Sequence, residues 1–118
     1  MRDRRAAESR GRDGEARAAW FLRAKGWRIL AQRVRTPVGE VDLVARKGRL
    51  IAFVEVKTRR TAAKLDFAID EHRLSRVAAA AEILAPRFAP DGEDIRIDVV
   101  LIAPRCWPRH IENAWIGG

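Results

Sequence analysis

The chain has 118 residues, 47% of them hydrophobic and 34% charged, a globular balance sufficient for one domain. Its 24 Lys and Arg outweigh 16 Asp and Glu to give a formal net charge of +8 at pH 7, and Cys106 is the single cysteine. These values exclude a disulfide framework and a cysteine zinc centre, and no apolar run exceeds five residues (50–54 and 99–103 are typical), too short for a membrane span or a secretory signal core.

A soluble, cytoplasmic, single-domain protein is expected. Residues 1–12 are Arg-rich and nearly free of large apolar groups, so they are expected to form a mobile basic arm ahead of one domain at 13–118. Residues 1–35 hold eleven basic and four acidic groups, a net +7, which leaves +1 for the rest of the chain. Such asymmetry points to a polyanion, with nucleic acid first and DNA ahead of RNA. The excess is mostly Arg, whose planar fork suits phosphate. A solubilising tail is the plainer alternative. A membrane surface ranks below both, because no clean apolar helix face accompanies the charge.

Asp13 is placed to cap a helix running to about Lys25, stopped by Gly26, with Ala18, Ala19, Leu22 and either Trp20 or Phe21 facing inward. A strand is expected over 27–35, then a turn at Thr36-Pro37-Val38-Gly39. Residues 40–46 alternate in strict period two, which predicts a strand with two dissimilar faces. Lys47-Gly48 marks a tight hairpin. The next strand, 49–59, contains the apolar run Leu50 to Val54 and should lie central in the sheet. A helix is predicted from Asp66 to about Ala85, with Ile69, Val77, Ala80, Ala81 and Leu84 inward and Pro86 beyond its end. Strands at 94–103 and 111–116 complete the order α-β-β-β-α-β-β. A mixed sheet with helices packed on it is the economical architecture.

The chemistry concentrates in Gly39-Glu40-Val41-Asp42-Leu43-Val44 and, across the hairpin, Phe53-Val54-Glu55-Val56-Lys57. A two- or four-residue loop puts Glu40, Asp42, Glu55 and Lys57 on one face, because opposed residues point the same way. Val41, Leu43, Ala52, Val54 and Val56 then form the other face, as plain core. Three gathered carboxylates carry a desolvation cost that a divalent cation would offset. Hard oxygen donors suit Mg²⁺ or Mn²⁺, with water and substrate phosphate completing the shell. Lys57 is placed to orient or deprotonate an attacking water, the arrangement of metal-assisted phosphodiester hydrolysis. Glu15 could add a further carboxylate from the first helix, or simply pair with that helix's dipole. The competing interpretation makes Glu55 and Lys57 a structural salt bridge and leaves Asp42 solvated at the sheet's edge.

Gly14-Glu15, Gly39-Glu40-Val41-Asp42-Leu43, Phe53-Val54-Glu55-Val56-Lys57-Thr58-Arg59 and Arg96-Ile97-Asp98-Val99-Val100 together resemble the YraN-like family over about residue 11 to the end. That family is similar to Holliday-junction resolvases and to the restriction-endonuclease-like superfamily, marked by an acid and then Asp/Glu-x-Lys. The resemblance implies an α/β restriction-endonuclease-like fold, a central mixed sheet flanked by helices. It further implies Asp42 and Glu55 as metal ligands, Lys57 as the catalytic lysine, Glu15 as the helix glutamate and Glu40 as the acid beside the aspartate. The chain departs from the family pattern in two places: Arg33 stands where many relatives carry Asn, and Arg73-Leu74 where many carry Lys-Gln.

The expected function is therefore a Mg²⁺- or Mn²⁺-dependent nuclease, possible substrates including branched DNA of recombination or repair. Phosphate contacts are expected from Arg10, Arg12, Arg17, Arg33 and Arg35, and beyond the first third from Arg59, Arg73 and Arg76. His72 and Arg76 share a helix face at i, i+4. The rivals are a non-catalytic nucleic-acid-binding module of the same fold, and a structural or interaction protein with an acidic salt-bridge cluster. A homodimer would duplicate the site in a way suited to junction cutting. Packing is the expected role of Trp20 and Trp115, whereas Trp107 is a candidate base platform. His72 and His110 are too isolated to argue for zinc.

Overall fold

The computed structural model describes residues 4–59 and 70–115, with side chains from residue 12 onward in the first helix. The elements are α1 (Arg4–Ala24), β1 (Arg28–Thr36), β2 (Gly39–Lys47), β3 (Leu50–Thr58), α2 (Glu71–Phe88), β4 (Asp94–Ile102) and β5 (Arg109–Ile111). This is the α-β-β-β-α-β-β order expected from the sequence. The five strands lie in the sheet in chain order. β1, β2 and β3 form an antiparallel meander, β3 and β4 run parallel through the α2 crossover, and β5 returns antiparallel on β4.

One helix covers each face of the sheet. On the α2 side, Leu74, Val77, Ala80, Ala81 and Leu84 pack on Val44, Ile51, Phe53, Ile97, Val99 and Leu101. On the α1 side, Ala18, Ala19, Leu22 and Trp27 pack on Leu43, Ala45, Ala52, Val54, Val100 and Ile102. Ile51 to Val54 are therefore buried on both faces, which is why this stretch is apolar without alternation. The fold is α/β and restriction-endonuclease-like, a central mixed sheet between helices. Among the described residues no helix is long and apolar enough to cross a membrane.

The structure moves several boundaries. The helix α1 begins at Arg4, so Asp13 lies within it rather than capping it, and the backbone of residues 4–12 is helical. Ala, Arg and Glu are strong helix formers, and that propensity starts the helix ahead of the polar residue that reads as its N-cap. The N-cap of α2 is Asp70, whose side chain accepts the Arg73 N–H. Asp66 and Ile69, assigned to this helix from sequence, lie outside the described residues. The same helix continues through Pro86 to Phe88, because the Ala89 N–H still reaches the Ala85 carbonyl although proline supplies no donor.

The last strand is three residues long and precedes the predicted 111–116. Asn113 turns the chain with a φ of +53° while its N–H reaches the Asp98 carboxylate. Val41 also leaves its expected face and joins the α2-side core beside Val34. A register shift in β1 between Ile29 and Ala31, followed by left-handed Arg33, breaks the simple alternation there.

Candidate metal and nucleic-acid site

The β2–β3 register fixes the site. Lys47 pairs with Leu50 across a two-residue loop, and the ladder runs to Leu43 opposite Val54. One step further, Asp42 stands beside Glu55 where backbone pairing ends. There the Val56 N–H donates to Asp42 Oδ2 at 2.7 Å, so the carboxylate takes the place of a lost ladder partner. Before it, Thr36 Oγ1 closes the β1–β2 turn by accepting the Val38 and Gly39 N–H groups. A Cβ on Gly39 would stand 3.2 Å from the Arg76 carbonyl oxygen, so the absence of a side chain lets β2 start beneath α2.

Asp42 and Glu55 are both buried, at 8% and 2% exposure. Burial pushes the Asp42 carboxyl up to about 7, the Glu55 charge adds to the rise, and the Val56 N–H opposes it. Glu15 and Glu40 raise it further, so the field of the other three acids converges on Asp42. Glu55 Oε2 accepts from Arg73 Nε at 2.5 Å, and Lys57 Nζ lies 3.5 Å from the same oxygen. A cavity of about 270 Å³ opens here, walled by Glu40, Asp42 and Glu55 from the sheet and by Asp70, His72, Arg73 and Arg76 from α2.

The other predicted residues fall around this centre. Glu15, well inside α1 rather than in its first turn, receives Arg33 Nε at 2.7 Å. Arg33 has a φ of +53°, a conformation asparagine adopts more readily than arginine. Glu40 is paired with the exposed Arg35. Arg76 reaches the Val38 carbonyl at 3.5 Å. Arg17 and Arg59 line a neighbouring cavity with Thr58 and Pro104. Arg12 is exposed on α1, while the side chain of Arg10 lies outside the described residues.

Among the described residues no cluster of three or more His, Cys, Asp or Glu forms a ready metal cage. Mg²⁺ does not require one, since it takes one or two protein carboxylates and completes its shell with water and phosphate. Among the described residues Asp42 Oδ1 and Glu55 Oε1 have no hydrogen-bond partner, and both carboxylates line the cavity. Two neighbouring carboxylates, each with one oxygen not engaged by a protein donor, fit a small divalent cation, which Asp42 and Glu55 would hold.

A second polar centre, on the α1 side, was not foreseen. Asp98 is fully buried on β4 and receives both Arg96 Nε and Nη2 at 2.8 Å, together with the Asn113 N–H. His110, set aside as isolated, lies 2.8 Å from Asp98 through Nε2 and 2.7 Å from Lys25 Nζ through Nδ1. A charged Lys25 donates to Nδ1, which places the ring proton on Nε2 facing Asp98. Burial alone would raise the Asp98 carboxyl, but His110, Arg96 and the Asn113 N–H outweigh it and hold it down at about 2. The only sequence signal was the i, i+2 pair of Arg96 and Asp98.

Comparison with known proteins fits this geometry to a lineage. The family described as "Uncharacterised protein family UPF0102" matches residues 14–102, from the α1 glycine to the end of β4. The UPF0102 protein of Erythrobacter litoralis is 70% identical over 112 residues, covering 95% of this chain and 97% of that protein. That of Sphingopyxis alaskensis is 67% identical with the same coverage, and that of Rhizorhabdus wittichii is 59% identical over 99% of both chains. The matched span includes every acid of the candidate site, and the chain belongs to the UPF0102 family.

Proposed function

We propose that this protein is a Mg²⁺- or Mn²⁺-dependent nuclease, with DNA ahead of RNA as its substrate. The observation that carries this reading is the pair of buried carboxylates, Asp42 and Glu55, lining one cavity with Arg73 and Arg76. Arg73 and Arg76 would bind the phosphates of an entering strand, and Lys57 would orient the attacking water beside Glu55. A bound cation supplies charge neutralisation and a more acidic water. Glu15 and Glu40, each tied to an arginine, act on the centre through their field rather than as ligands.

The hold of Arg73 on Glu55 favours a second reading, a nucleic-acid-binding module of the same fold in which arginine takes the cation's place. Calorimetric titration of Mn²⁺ at pH 8, where Asp42 is ionised, separates the two. The nuclease reading expects one saturable site that is lost in Asp42→Asn/Glu55→Gln, and DNA cleavage that is lost in Lys57→Ala while DNA binding persists. No saturable binding, even with a non-cleavable branched DNA present, would replace the nuclease with the binding module.

A further inference from the structure

Large aromatic rings in a small domain ordinarily go inside, and Trp27 does, at 6% exposure. Trp20 and Trp107 do the opposite. Trp20 on α1 is 59% exposed and Trp107, in the segment between β4 and β5, is 75% exposed, which reverses the packing role expected for Trp20. The two rings are held parallel, 9° apart in plane with centroids 6.4 Å apart. They flank a cavity of about 500 Å³ whose other walls include Arg17, Arg105 and Cys106, with no acidic residue among them.

Flat apolar faces beside arginines match one chemistry closely: an unpaired nucleobase with its phosphate. A base in a duplex has both faces covered by its neighbours and cannot stack on a side chain without being extruded. Single-stranded nucleic acid presents those faces freely, and aromatic platforms with cationic rims are how sequence-tolerant proteins hold it. The position suits such a role. Arg17 lines this cavity and also the adjoining one, which reaches Thr58 and Arg59, and Thr58 follows Lys57 at the end of β3. Arg17 and Arg59, with Asp13 beside them as the one acid of the adjoining cavity, therefore lie between the tryptophans and the end of β3 that carries Lys57.

We infer that Trp107, backed by Trp20 and flanked by Arg17 and Arg105, is a stacking site for an unpaired base of a single-stranded DNA segment whose backbone follows Arg17 and Arg59 toward the acidic centre. The inference rests on the nucleic-acid part of the proposed function and adds the substrate class.

The test is a titration of the full-length protein with a fluorescently labelled thymidine decamer in chelator, so that no chemistry intervenes. Tryptophan quenching is read beside anisotropy. Wild type should bind with quenching. Trp107→Ala should bind about tenfold more weakly and lose most of the quenching, while Trp107→Phe keeps affinity near wild type. Circular dichroism confirms folding, and Trp20→Ala gives an independent route to the same loss should the loop variant be perturbed.

Equal affinity in wild type and both alanine variants would overturn the site. Preference for a blunt duplex over the decamer would overturn it as well, as would no binding of either, which leaves the pair as a contact for another protein. Calorimetric Mn²⁺ titration of Trp107→Ala, run in parallel without DNA, reads the acidic centre on its own. A failed tryptophan site and a failed metal site are thus told apart.

Discussion

Asp98 and Asp42 are buried carboxylates on opposite faces of the sheet with opposite electrostatic outcomes. Asp98 is met by Arg96, His110 and a backbone donor, whereas Asp42 has one backbone donor and a carboxylate neighbour. For Asp98 the folded-state value, about 2, lies below the ordinary 3.8. The unfolded chain therefore binds the proton first, and the stability from this group is fully present above pH 4 and lost as pH falls through 2. We predict that Asp98→Asn flattens the acid limb of the stability curve and costs about 3–5 kcal/mol near neutrality, because Arg96 loses its buried carboxylate partner and keeps only the more distant, exposed Glu112. Urea melts at pH 7, 4 and 2.5 check both statements. At this scale the acidic site was readable from period-two parity, because Asp42 and Glu55 belong to one hairpin and its loop fixes their relation. Arg73 on Glu55 and His110 on Asp98 were not readable as pairs, because each depends on how distant segments dock.

At the level of elements, one close approach sets where α1 lies. A Cβ built on Gly14 would sit 2.3 Å from the Thr58 methyl carbon, so the glycine lets the helix rest against the end of β3 and brings Glu15 to Arg33. In open helix Gly→Ala would gain about 1 kcal/mol, but overpacking here costs about 1–3 kcal/mol. Gly14→Ala should therefore be destabilising in thermal melts, and Thr58→Ser, which removes the methyl, should turn the same substitution stabilising. A Gly14→Ala variant as stable as wild type would show that α1 is free to shift. The first four strands and both helices were legible from periodicity and turn residues, while their ends and the place of the last strand were not. The Asp70 cap, the Pro86 continuation and the early start of α1 are decided by local hydrogen bonds and propensity that a hydrophobic pattern does not encode. Trp20 was misplaced for a related reason: helical spacing puts it beside Phe21 and Leu22, and only the docked helix shows which ring turns outward.

On the scale of the whole molecule, the charge asymmetry of the sequence becomes a spatial one. The basic α1 packs across one face of the sheet, and the arginines of α2 border the acidic cavity on the other. The sheet itself is unequal in how its strands find one another. The β1–β2–β3 meander closes through short turns, whereas the β3–β4 pairing, such as Ala52 with Arg96, spans the whole α2 connection. Loop closure costs more entropy for the longer connection, so in the folding transition state the meander should lead and the parallel seam should follow. Val44→Ala, in the hairpin, is then expected to slow refolding, and Val99→Ala, on β4, chiefly to speed unfolding, with stopped-flow chevrons reading each; the reverse order would refute the scheme. Asp42 and Glu55 thus meet while the chain is still largely open, and Arg73 arrives to share their charge only when the last long loop has closed.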